Sequence, residues 1–134
     1  MLTLTCPFCG VAAEETELAP GGEAHLKRFG PGSSDADFET YLFGRRNPRG
    51  VHFERWRHVY GCGKWFLAAR DTATLQVFGT YPPQCDGPPD PLIARIRAAR
   101  PGWQPPPEPL EDDSAPGVER DPAPNPTPTR DTIA

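Results

Sequence analysis

The sequence predicts a small α+β domain, mainly antiparallel β and zinc-ribbon-like, with one or two short helices and a disordered C-terminal tail. Three observations carry this expectation. A Cys-x2-Cys turn, Cys6-Pro7-Phe8-Cys9-Gly10, stands near the N-terminus. Residues 51–81 hold runs rich in aromatic and β-branched side chains, broken by short polar or glycine-rich turns. Finally, 15 of the 19 prolines lie at or beyond Pro82, and 10 of those fall in residues 101–134.

The elements follow in order. Leu2 to Thr5 alternates apolar residues with threonine, as a short strand does, and leads into the cysteine turn. Ala19-Pro20-Gly21-Gly22 reads as a turn by composition, followed by a short extended piece from Glu23 to Arg28. Phe29 to Asp35 is loop. Ser34 offers an N-cap with Asp37 three residues on, and Phe38, Tyr41 and Leu42 follow at helical spacing, which predicts a helix over 35–43. Arg46-Asn47-Pro48-Arg49-Gly50 is a turn. Val51 to Tyr60 places apolar or aromatic residues on both phases, as a strand with two working faces would, and Gly61-Cys62-Gly63 breaks it. Trp65 to Arg70 and Thr74 to Tyr81, separated by Asp71-Thr72, read as antiparallel strands. Asp90-Pro91 starts a helix, with Asp as N-cap and Pro in the first helical position. Leu92, Ile93 and Ile96 give that helix an apolar side, and Pro101-Gly102 stop it.

The chain divides accordingly into a body, residues 1–100, and a Pro-rich acidic tail, residues 101–134. The formal net charge of -4 belongs to the tail, whose seven acids and two bases give -5 and leave +1 for the body. Beyond Trp103 the tail's large apolar residues are Leu110, Val118 and Ile133. These are too few to repay the roughly 1–2 kcal/mol per residue that ordering a backbone costs, so the tail is expected to be disordered or extended. No apolar run approaches the roughly 20 residues of a membrane span, and Met1 to Cys6 lacks the regions of a signal peptide, which predicts a cytoplasmic protein. A body this small would gain from a cross-link or a metal.

Four cysteines occur: Cys6, Cys9, Cys62 and Cys85. The Cys6–Cys9 spacing lets one tight turn present two thiolates to a tetrahedral ion. His58 and Cys62 have a second compatible spacing, His-x3-Cys, with Gly61 and Gly63 flanking the thiolate. Together Cys6, Cys9, His58 and Cys62 make a Cys3His set, expected to be a closed structural zinc site with no open position for water. Binding free energies of roughly 10–16 kcal/mol for structural zinc exceed what so small a core usually nets, so the ion would decide folding. A thioredoxin-like redox pair at Cys6 and Cys9 would belong in a βαβ unit, which the pattern does not provide, and a disulfide would suit a secreted chain. Cys85 sits among prolines far from any partner and reads as unliganded. His52 shares a strand phase with His58, but six residues put it about 20 Å off at roughly 3.3 Å per residue. His25 follows a glycine turn and reads as structural.

Between Arg45 and Arg70 seven bases face one acid, Glu54, and Trp56, Tyr60, Trp65 and Phe66 are interleaved with them. Such a segment could bind nucleic acid, but a body charge of +1 is weak for that purpose, and the alternative is aromatics in the core with arginines on a partner-docking face. A contact between this segment and the acidic tail is a further expectation. Glu14, Glu15 and Glu17 read as a solvated cluster. No nucleophile elbow, phosphate-cradling loop or open metal site is evident, so no catalytic residue is expected in this chain.

The body resembles a known family. The residues that carry the likeness are Cys6-Pro7-Phe8-Cys9-Gly10, Gly21-Gly22-Glu23-Ala24-His25 and Arg28. They continue through Tyr41-Leu42-Phe43, Arg45, Asn47-Pro48, Gly50, His52, Glu54-Arg55-Trp56-Arg57-His58, Gly61-Cys62, Trp65-Phe66, Arg70-Asp71-Thr72 and Thr80-Tyr81. Over residues 1–81 the sequence is similar to the delta subunit of heterotetrameric sarcosine oxidase. The resemblance implies a small subunit that joins alpha, beta and gamma subunits, with FAD, FMN and NAD held by those partners. It implies an assembly that oxidises sarcosine to glycine, forms hydrogen peroxide and passes the one-carbon unit to tetrahydrofolate. It also implies zinc in this subunit, at Cys6, Cys9, His58 and Cys62. The tail departs from the family pattern. The competing reading is a free-standing zinc-ribbon module that binds nucleic acid or a protein partner.

Overall fold

The computed structural model describes residues 1–28 and 30–107. Strand β1 (Thr3–Thr5) pairs antiparallel with β2 (Ala12–Glu14), and a single 3-10 turn (Glu15–Glu17) follows. Strand β3 (Ala19–Glu23) enters a second sheet, helix α1 (Asp35–Phe43) interrupts, and β4 (Val51–Arg57), β5 (Trp65–Asp71) and β6 (Val77–Tyr81) complete it before helix α2 (Asp90–Ala99). The second sheet is antiparallel throughout in the order β3-β4-β5-β6. The expected tail, apart from its first residues, lies outside the described residues.

The two-phase pattern of β4 and β5 is what makes the body three layers thick. Side chains of a strand alternate between faces. One face carries Trp56, Phe66 and Ala68, which pack with Leu2, Leu4, Cys6, Ala13 and Leu18 from the β1–β2 side. The opposite face carries Phe53, Leu67 and Ala69, which pack with Ala24, Phe78, Tyr81 and with Leu92 and Ile96 of α2. Both faces of the central strands are therefore buried, so β5 reads as an unbroken apolar run, Phe66 to Ala69.

Four details differ from the sequence reading. Ala19-Pro20-Gly21-Gly22, expected as a turn, is most of strand β3. It tolerates this composition because β3 is an edge strand, where proline's missing N–H costs no ladder bond. Gly21 lies where a Cβ would collide with the Trp65 ring, and Gly22, at φ +83°, absorbs the register shift between Pro20 and Gly22. Strand β2 and the 3-10 turn, three residues each, carry too short a pattern to read. Strand β4 ends at Arg57, before the expected Tyr60, and β6 begins at Val77 after a turn in which Asp71 Oδ1 accepts from the backbone N–H of Ala73 and Thr74. The N-cap of α2 is Pro89, one residue ahead of the expected Asp90. Helix α1 forms as expected, Ser34 Oγ accepting from the Asp37 N–H at 3.1 Å, yet none of its residues is buried.

A polar cluster lies inside the first face. Glu54 is 7% exposed and accepts a bidentate pair from Arg70 at 2.7 Å for both bonds, a third bond from Trp56 Nε1 at 3.0 Å, and lies 3.3 Å from His52 Nδ1. Burial alone would raise its pKa. The bonds from His52 and Arg70, the Arg70 charge and the Trp56 bond outweigh burial and bring it from an ordinary 4.5 to about 2. Because the folded pKa is depressed, the stabilisation is complete above about pH 4.5 and is lost as pH falls towards 2. Glu54→Gln should therefore cost about 3 kcal/mol at pH 7, the size expected for breaking one half of a buried pair. Urea melts of the two proteins should converge as pH drops from 4.5 to 2; a gap that stays constant over that range would refute the assignment.

Candidate metal centre

Two tight turns build the site. In the first, β1 runs directly into Cys6, whose N–H bonds to the carbonyl of Val11 while its carbonyl accepts from Gly10, both at 2.9 Å. Gly10 adopts φ +72°, which returns the chain into β2 and leaves the two thiols of Cys6 and Cys9 on one side. In the second turn β4 runs directly into His58, which donates its N–H to the Lys64 carbonyl and accepts at its own carbonyl from the Gly63 N–H at 2.8 Å. The second turn is also tied to the 3-10 turn after β2, by a bond from the Tyr60 N–H to the Glu17 carbonyl at 3.2 Å.

The structure brings Cys6, Cys9, His58 and Cys62 together, all four donor atoms lying within 4.8 Å of one another. Cys6 and His58 are buried, and Cys9 and Cys62 are exposed. The separations are 3.6 Å for Cys6 Sγ to Cys62 Sγ, 3.4 Å for Cys9 Sγ to His58 Nδ1, and 3.8 Å for Cys62 Sγ to His58 Nδ1. A tetrahedral ion with metal–sulfur bonds of about 2.3 Å and metal–nitrogen bonds of about 2.0 Å has edges of roughly 3.5–3.8 Å, which these three separations match. A sulfur pair at 3.6 Å is far longer than the roughly 2.0 Å of a disulfide, and all four cysteines are free thiols.

Nδ1 is the imidazole atom aimed at the thiols, and the ring packs against Gly61. The His58 ring lies over this glycine so closely that a Cβ there would overlap Cε1, Nε2 and Nδ1. Nε2 is buried and has no hydrogen-bond partner among the described residues. The ring's orientation is thus held by packing on Gly61 rather than by a bond to its second nitrogen, and the Gly61 role goes beyond the glycine flanks visible in the sequence.

The other candidates lie elsewhere. His52 faces Glu54 and is outside the cluster. His25, at φ +59°, hydrogen-bonds the Tyr81 hydroxyl through Nε2 at 2.6 Å and stacks on its ring; burial, then Lys27, lowers its pKa against an opposing effect of Asp86. Cys85 packs half-buried beside the α2-side core. The Glu17 carboxylate accepts from the Glu14 N–H on the surface, a local cap. In the basic segment, Trp56 and Phe66 are core, while Tyr60 and Trp65 are exposed at 78% and 42%. No helix among the described residues is long and apolar enough to cross a membrane.

Residues 3–83 match the family described as the sarcosine oxidase delta subunit family. The chain belongs to that family. Among its curated relatives, the sarcosine oxidase subunit delta of Corynebacterium sp. (strain P-1) is 45% identical over 83 residues, covering 60% of this chain and 84% of the relative. The same-named protein of an Arthrobacter species is also 45% identical over 83 residues, with the same coverage. That of Rhizobium meliloti (strain 1021) is 38% identical over 72 residues, covering 54% of this chain and 76% of the relative. The matched stretch in this family member contains both turns of the cluster and all of the second sheet, and stops short of α2.

Gly61→Ala should displace the His58 ring and lower bound metal several-fold in the purified chain, measured by elemental analysis. Gly87→Ala, where a Cβ would meet nothing within 4 Å, is the control and should keep full metal. Equal metal content in both variants would show that Gly61 does not set the ring.

Proposed function

We propose that this chain is the zinc-binding, non-catalytic delta subunit of a heterotetrameric sarcosine oxidase, an oxidoreductase complex of the cytoplasm. The observation that carries the reading is the family match over residues 3–83, which takes in the Cys/His cluster. The alpha, beta and gamma subunits would hold FAD, FMN and NAD, and the assembly would convert sarcosine to glycine with tetrahydrofolate as one-carbon acceptor and hydrogen peroxide as product.

Within the subunit, Cys6, Cys9, His58 and Cys62 would be the zinc ligands. Three soft thiolates with one imidazole suit zinc, and four protein donors leave no position for a reacting water. The bound ion would supply a cross-link and no chemical step. Cys6 and Cys9 would anchor the β1–β2 hairpin, while His58 and Cys62 would anchor the β4–β5 turn. Each thiol must lose its proton to bind, so affinity is lost as the pH is lowered.

The nucleic-acid alternative has less to support it. Arg70 is committed to Glu54, Arg57 Nε donates to the Gly63 carbonyl at 3.0 Å, and Arg46 lies 3.7 Å from Glu23. These bases are spread over the fold instead of lining one strip.

Two experiments test the reading. A tagged chain co-expressed with its genomic neighbours should bring down a flavin-containing complex; recovery of the chain alone would count against the assembly. Cys62→Ser should lower bound zinc to well below one per chain and leave the body largely unfolded by amide dispersion. Full zinc with an unchanged melting curve would exclude the ligand role.

A further inference from the structure

The acidic tail and the basic segment meet at one place in the fold. The four acids Glu108, Glu111, Asp112 and Asp113 come directly after Pro107, the last described residue. Geometry then selects among the bases available to them. Arg70 is held by Glu54, Arg57 by the Gly63 carbonyl, Arg55 lies over the Trp65 ring at 5.1 Å, and Lys64 lies over Phe8 at 4.9 Å. The loop that follows α1 carries Arg45, Arg46 and Arg49, all exposed. Arg45 caps α1 by donating to the carbonyls of Tyr41 and Gly44. Arg46 lies 3.7 Å from Glu23 through Nε, while its Nη2 points to the chain end and donates to the carbonyl of Pro107 at 3.3 Å, so the chain leaves the described structure at this loop with that edge of the guanidinium towards it.

An apolar strip adjoins the arginines. Leu42 is 44% exposed and Phe43 is 78% exposed at the end of α1, a helix that buries nothing. The segment 108–113 contains one large apolar residue, Leu110, set among its carboxylates. We propose that residues 108–113 dock back on the loop after α1, with carboxylates on Arg45, Arg46 and Arg49 and Leu110 against Phe43.

Charge and tether act together. One residue of extended chain spans roughly 3.3–3.6 Å, so Glu108 starts within reach of the loop. The contact is intramolecular, at an effective concentration in about the millimolar range or above. Exposed ion pairs are screened within about 3 Å at 1 M salt, so docking is salt-sensitive. The inference does not depend on the proposed assembly.

The test compares amide spectra of the full, metal-loaded chain with those of a variant carrying Glu108→Gln, Glu111→Gln, Asp112→Asn and Asp113→Asn. Signals of residues 42–49 should shift between the two, and about 1 M NaCl should move the unaltered chain to the variant's positions. A second variant, Arg49→Gln, should shift the amides of residues 108–113. Core signals such as Phe66 should stay fixed in both and report an intact fold. Superimposed spectra at 42–49, shifts centred on Arg55 to Lys64 instead, or shifts indifferent to salt would each overturn the proposal. The measurement uses this chain alone, so its failure is distinct from failure to join other subunits.

Discussion

The convergence of four donor atoms from two turns is the constraint on which the rest of the body depends. Cys6 and Cys9 close the first hairpin, His58 and Cys62 close the turn between β4 and β5, and 48 residues separate the pairs. Without that meeting point, β1 and β2 would touch the main sheet through few side chains. Leu2, Leu4, Cys6 and Ala13 are the buried residues of that small layer. The Cys/His cluster brings the turn after β1 against the turn after β4.

The central strands repeat the same economy on a larger scale. Trp56 and Phe66 face the hairpin, while Phe53 and Leu67 face α2, so one pair of strands organises two cores. The cost is a charged group in the first core. Glu54 is tolerated there because Arg70, Trp56 and His52 surround its carboxylate, and burying it unpaired would cost several kcal/mol. The cluster also ties β4 to β5 through side chains, beyond their seven paired positions.

The surface is less uniform than the net charge suggests. Family membership rests on residues 3–83, and the sequence outside that range adds α2, which covers the second core, and then the acidic segment. Helix α1 and its arginine loop lie within the matched range and yet bury nothing. A helix that pays the entropy of ordering without internal burial is a natural place for contacts from outside the body.

Much of this was determined by the sequence itself. Local chemistry is short-ranged: a Cys-x2-Cys turn, a Ser34 cap three residues before Asp37, and a proline after Asp90 each act within a few residues. Those signals located the strands from Val51 to Tyr81, both helices and the residues of the cluster, and the family resemblance ran along the same positions. Tertiary structure decided the rest. Ala19-Pro20-Gly21-Gly22 has turn composition, and only its place at the sheet edge, under the Trp65 ring, makes it a strand. Whether Phe38 and Leu42 pack or stay exposed depends on what lies beside α1, which periodicity within the helix does not contain. Glu54 among seven bases reads as one surface charge, but its burial and its pairing with Arg70 follow from the register of two strands. The close packing of the His58 ring depends on a glycine three residues on folding back beneath it, a contact set by the path of the turn in space.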